Sequence, residues 1–102
     1  MPDMSTLTMT DLAAPLRALR LIASDFPDLP ALEARVSTVY PDRLDLSVYD
    51  DLSAFDAWRA ALGILPESVT YGEQSGGRTR VLSAFAEYAG ARLRLVGFSE
   101  AP

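Results

Sequence analysis

The chain predicts an α+β domain in the order αββ then αβββ, with one mainly antiparallel five-stranded sheet and two helices packed on one face. Three observations lead there. Apolar residues recur every three or four positions from Thr10 to about Asp25 and again from Leu52 to Leu62, the spacing of helices with one buried stripe. Between those segments, and again from Thr79 to Ser99, apolar and polar residues alternate as in half-buried strands. Hairpin signals then join neighbouring strands, which favours antiparallel pairing.

Residues 1–9 have no period and are expected to form a flexible tail before a single domain at 10–102. In the first helix, Leu12, Leu16, Leu19, Ala23 and Phe26 mark the apolar stripe. Thr10 or Asp11 can cap it, and Pro15 falls in the first turn, where a missing N–H costs least. Phe26-Pro27-Asp28-Leu29-Pro30 ends it, because residues before proline avoid the α region.

Val36, Thr38 and Tyr40 suggest one strand, and Leu44, Leu46 and Val48 a second, with Tyr40-Pro41-Asp42-Arg43 as a type I turn between them. The expected register pairs Tyr40 with Leu44, Thr38 with Leu46 and Val36 with Val48. Asp50-Asp51-Leu52-Ser53 opens the second helix, with Ser53 and Asp56 spaced as a capping pair. Leu52, Phe55, Trp58 or Arg59, and Leu62 trace its stripe, and Gly63 stops it before Pro66. Val69 and Tyr71 mark a third strand, and residues 72–78 a loop. Thr79 to Tyr88 and Ala91 to Ser99 form a last hairpin about Ala89-Gly90. Pairing outward from Tyr88 and Ala91 sets Glu87 against Arg92, Ala86 against Leu93, Phe85 against Arg94 and Ala84 against Leu95.

The chemistry is bounded by what is missing. All nine basic residues are arginine, and there is no lysine, asparagine, histidine or cysteine. That removes imidazole bases and ligands, thiolates, Schiff bases and the phosphate-gripping lysine of a P-loop. No serine sits in a nucleophile-elbow setting, so an enzyme is not expected, and neither is a cofactor. The formal net charge of −5 disfavours non-specific nucleic-acid binding. No signal peptide pattern and no apolar run of about 20 residues is present, so a cytoplasmic protein with no membrane span is expected.

The run from Leu16 to Gly63 begins Leu-Arg-Ala-Leu-Arg and closes on Phe-Asp-Ala-Trp-Arg-Ala-Ala-Leu-Gly. It resembles small uncharacterised actinobacterial proteins, some of them carried on mobile elements. The rich Ala, Arg, Gly and Pro content fits a high-GC genome. The resemblance implies a source and brings no site with it.

Several constellations invite a function. Asp42, Asp45, Asp50, Asp51 and Asp56 are the densest acidic group, but their spacing matches no calcium loop, and a turn or helix start explains most of them. Gly72, Gly76 and Gly77 with Arg78 can cradle an anion, or simply connect two strands. Arg78, Arg80, Arg92 and Arg94 gather on the C-terminal strands and offer a DNA contact, weakened by Glu87 and by the strands' alternation. Tyr40, Tyr49, Tyr71 and Tyr88 with Trp58 would serve a small-ligand binder, although such residues are more often core or sheet surface.

The sharpest expectation concerns the last hairpin. Leu82, Ala84, Ala86, Leu93 and Leu95 share the face expected beneath the helices, which turns Val81, Phe85, Val96 and Phe98 the other way. An apolar face left to water is covered by the chain itself or by a protein partner, the simplest being a second copy in a homodimer.

Overall fold

The structure, a computed structural model, describes residues 6–100. The expected tail lies outside the described residues for 1–5. A short 3₁₀ turn at Met9–Leu12 leads directly into helix α1, Ala13–Asp25. The cap therefore comes earlier than Thr10 or Asp11: the Thr8 N–H donates to Asp11 Oδ2 at 2.8 Å. Pro15 is buried in the first turn of α1 with Ala18 and Ile22 following on the same face. Strands β1 (Glu33–Val36) and β2 (Arg43–Tyr49) come next, then helix α2 (Leu52–Ala61), and finally β3 (Thr70–Gln74), β4 (Thr79–Tyr88) and β5 (Ala91–Glu100).

The sheet order is β1-β2-β5-β4-β3, with β2 and β5 parallel and the other three pairings antiparallel. Connectivity explains the parallel pair. A helix carries the chain from β2 across the sheet, so β3 runs in the same direction as β2. Two tight reversals later, β5 again has that direction and fills the place beside β2.

The core lies between this sheet and both helices. Leu44 and Leu46 from β2 and Leu93 and Leu95 from β5 are inaccessible, packed in one cluster with Ala18 and Ile22 of α1 and Phe55 and Trp58 of α2. All four leucines point to one face, so both helices cover the same side. Trp58 anchors the second helix: its indole N–H donates to the Pro30 carbonyl at 2.8 Å, and its ring meets Phe26 edge-on at 6.2 Å.

The final hairpin has the expected register along its whole length, from Tyr88 against Ala91 to Ala84 against Leu95. Its turn residues Ala89 and Gly90 have φ of 52° and 82°, the two positive values that a two-residue turn between twisted strands requires. The first hairpin differs. Val36 pairs with Leu44, not Val48, and β1 occupies 33–36, so Thr38, Val39 and Tyr40 belong to a longer connection. Val39 is 72% exposed, which gives the chain nothing to gain by pairing it. The Tyr40–Arg43 turn does form, with Arg43 N–H donating to the Tyr40 carbonyl at 3.0 Å, inside that connection. The slip is four residues, an even number, so every side chain keeps its face. The loop expected at residues 72–78 is shorter, because β3 continues through Gln74.

The cap of α2 is Asp51 and not Ser53. Its carboxylate accepts from the Ser53 hydroxyl at 2.6 Å and from the Ala54 N–H at 3.0 Å. Those two hydrogen bonds, the Ser53 hydroxyl first, hold the Asp51 carboxyl below its ordinary 3.8. A depressed carboxylate stabilises the fold above pH 3.8 and loses that contribution as pH falls through its lowered value. Asp51→Ala is therefore expected to lower Tm at neutral pH, with the gap from wild type closing on acidification below that point. A gap independent of pH in thermal melts would show that the carboxylate's charge contributes nothing. Asp56, the expected partner in the cap, instead accepts from Arg59 Nε at 2.8 Å.

Candidate functional site

With both helices on one side, the alternation of the strands defines an outer face that no described helix covers. On β5 it carries Arg92, Arg94, Val96, Phe98 and Glu100, and on β4 Thr79, Val81, Ser83, Phe85 and Glu87. The parallel pairing adds Arg43, Asp45, Ser47 and Tyr49 from β2, each beside its β5 counterpart. From β1 come Glu33 and Arg35, and from β3 Thr70, Gly72 and Gln74.

Two ends of this face differ in character. Near the end of β5, Tyr49 and Phe98 stack with their rings 5.2 Å apart and 11° from parallel, beside Val81. Tyr49 is 53% exposed. Near the β4–β5 turn lie the arginines and Phe85, itself 46% exposed. Arg92 lies over the Phe85 ring at 4.5 Å, and Arg43 over Tyr40 at 3.7 Å. Asp45 sits 3.1 Å from Arg43 Nε and 4.0 Å from Arg94. Phe85, which the register sets against Arg94, thus has Arg92 over its ring instead, while Arg94 lies near Asp45 on the neighbouring β2. A shallow pocket of about 150 Å³ is lined here by Tyr40, Asp42, Arg43, Phe85 and Arg92.

Val81, Phe85, Val96 and Phe98 all point to this face, but they differ in access. Val96 is only 1% exposed although it lies outside the main core cluster. It occupies the middle of the central strand between Ser47 and Ser83. Phe85, Phe98 and Val81 stay at least partly accessible on this face, together with Tyr49, which sequence reasoning did not assign to it. Tyr49 has the right alternation on its own strand, but only the β2–β5 pairing brings it to Phe98.

The expected arginine group is divided. Arg92 and Arg94 are on the outer face, Arg80 points to the helix side opposite Glu73, and Arg78 is in the β3–β4 turn. In their place the sheet adds Arg35 and Arg43. The outer face then holds four arginines (Arg35, Arg43, Arg92, Arg94) and four carboxylates (Glu33, Asp45, Glu87, Glu100). Its formal charge is zero, so the whole −5 of the chain resides elsewhere.

The other constellations disperse. Asp45 is among arginines, Asp51 caps α2 and Asp56 pairs with Arg59. Among the described residues no three acidic groups converge as metal ligands. The tyrosines do not share a pocket: Tyr88 donates to Asp25 Oδ2 on the helix side, Tyr71 is exposed on edge strand β3, Tyr40 lies in the connection before β2 and Tyr49 at the far end of that strand. The Gly76-Gly77 segment makes the β3–β4 turn, with Gly77 N–H donating to Gln74 at 3.2 Å. Among the described residues no helix is long and apolar enough to cross a membrane. Comparison with protein-family models, with curated proteins and with solved structures finds no match.

Proposed function

We propose that this chain is a non-catalytic protein-interaction domain that docks through the outer face of its sheet. The observation carrying this reading is Phe85, 46% exposed on a sheet face with no helical layer above it among the described residues, with the half-exposed Tyr49 stacked on Phe98 at the other end of the same face. Aromatic rings and arginines beside a few carboxylates are the composition of a protein-binding surface. A zero-charge face is poorly suited to a polyanion, which weighs against the alternative of an accessory DNA-binding protein. The absence of histidine, cysteine and lysine supports a non-catalytic role, and the lack of cysteine accords with a cytoplasmic setting.

The reading is tested by separating a docking surface from a buried one. Phe85→Thr, which keeps a strand-forming residue, is expected to cost no more than about 1 kcal/mol of folding stability. Hydroxyl-radical oxidation of dilute protein is expected to mark Phe85 and Tyr49 more heavily than Phe55. A loss of about 3–5 kcal/mol, the range for a core phenylalanine, would mean that the chain covers this face itself and would overturn the proposal.

A further inference from the structure

Resting on that reading, we infer that the partner is a second copy of this chain, packed sheet to sheet about a twofold axis that runs along β5. Charge argues for self-association at this face and against it elsewhere. Two copies with a net charge of −5 repel each other through most of their surfaces, whereas the outer faces are neutral. Size is adequate: the 36 strand residues, each about 3.3 Å long and about 4.8 Å wide, give a face on the order of 600 Å². A standard interface buries about 800 Å² on each partner.

The direction of the axis follows from the order of residues across the sheet. At the charged end, Arg43, Arg92 and Glu87 stand side by side on β2, β5 and β4. Rotation about an axis along the central β5 exchanges the positions above β2 and β4. It therefore sets Arg43 of each copy over Glu87 of the other, in two equivalent contacts, and the two Arg92 and two Arg94 side chains that it brings together on the axis stand beside Glu87 and Asp45. The long arginine side chain spans the offset introduced by the usual angle of about 30° between packed sheets. At the apolar end the same rotation sets Tyr49 over the other copy's Val81 and brings the two Phe98 rings together near the axis. An axis across the strands at the middle of β5 would instead set Asp45 over Tyr49 and Arg94 over Phe98 of the other copy, carrying charged groups onto the apolar end.

Charge exchange tests both the partner and the axis. Native mass spectrometry and sedimentation are applied to wild type, Phe98→Asp, Arg43→Glu and Glu87→Arg, with melting curves to establish that each variant is folded. The wild type is expected to dimerise and Phe98→Asp to be monomeric. Arg43→Glu and Glu87→Arg should each dimerise at least 10-fold more weakly, because each places two like-charge pairs across the axis. Mixed in equal amounts, they should form a heterodimer near wild-type affinity, since every contact is again Glu against Arg. If Arg43→Glu unfolds, the Arg43→Gln variant replaces it and the mixture is expected to exceed the Glu87→Arg homodimer by the same sign. A monomeric wild type overturns the inference of self-association while leaving the face open to another protein. A wild-type dimer that Phe98→Asp abolishes, but that is indifferent to both charge variants and gains nothing on mixing, overturns the axis alone.

Discussion

Trp58→Ala is expected to remove about 3–5 kcal/mol of folding stability, the range for deleting a large buried aromatic side chain. A domain of this size has roughly 5–15 kcal/mol in all, so the variant should be close to unfolding. Trp58 is 4% exposed and links three parts of the molecule: α2, which carries it, the sheet beneath, and the 26–32 connection, through Phe26 and the Pro30 carbonyl. It also lines an apolar pocket of about 290 Å³ with Leu19, Ile22, Phe26 and Leu29. Removing the indole deepens that open groove and takes away the edge contact of Phe26, so lost packing adds to lost burial. Trp58→Phe keeps most of the packing and gives up the hydrogen bond, which makes its cost about 1–2 kcal/mol. Urea unfolding followed by far-ultraviolet circular dichroism is the measurement, since Trp58 is the only tryptophan and its fluorescence disappears with it. A midpoint shift equivalent to less than about 1 kcal/mol would show that α2 is held by other contacts.

Gly97→Val is expected to cost about 3 kcal/mol by the opposite mechanism, overfilling. Gly97 lies on the helix face of β5, between Val48 and Leu82. A Cβ there would stand 2.9 Å from Phe55 Cδ2 and 3.2 Å from its Cγ. Phe55 is 3% exposed and held against the same strand, so its ring has nowhere to retreat without lifting α2 from the sheet. The contact makes a specific forecast for pairs of variants. Phe55→Leu, which shortens the ring, should reduce the penalty of Gly97→Val, giving a coupling of about 0.5–3 kcal/mol in a double-mutant cycle. Strict additivity would mean that the valine is accommodated by the backbone of β5 and not by Phe55.

These two positions also show what can be read from a chain and what cannot. The buried stripe of the second helix is legible to within one position, Trp58 or Arg59, because a stripe at three- and four-residue intervals is local information. The β4–β5 hairpin is legible for the same reason: a two-residue turn fixes the pairing of every residue outward from it. Gly97 is not legible. Its need to be glycine arises from a phenylalanine 42 positions earlier in the chain, brought there by packing. The β1–β2 register was equally out of reach, since a long connection leaves register to be set by burial, and Val36 finds Leu44 once Val39 and Tyr40 gain nothing from the sheet.

The candidate face divides along the same line. Alternation within each strand determined that Val81, Phe85, Val96 and Phe98 turn away from the leucines, and composition determined that no histidine, thiolate or lysine chemistry is on offer. Tertiary structure decided that β5 lies between β4 and β2. That choice put Tyr49 on Phe98, Asp45 between Arg43 and Arg94, and Arg43 across Arg92 from Glu87. The reason is physical: side-chain direction is set by the backbone of a few consecutive residues, whereas strand neighbours are set by which arrangement buries Leu44, Leu46, Leu93 and Leu95 together under two helices. No single stretch of the chain contains that sum.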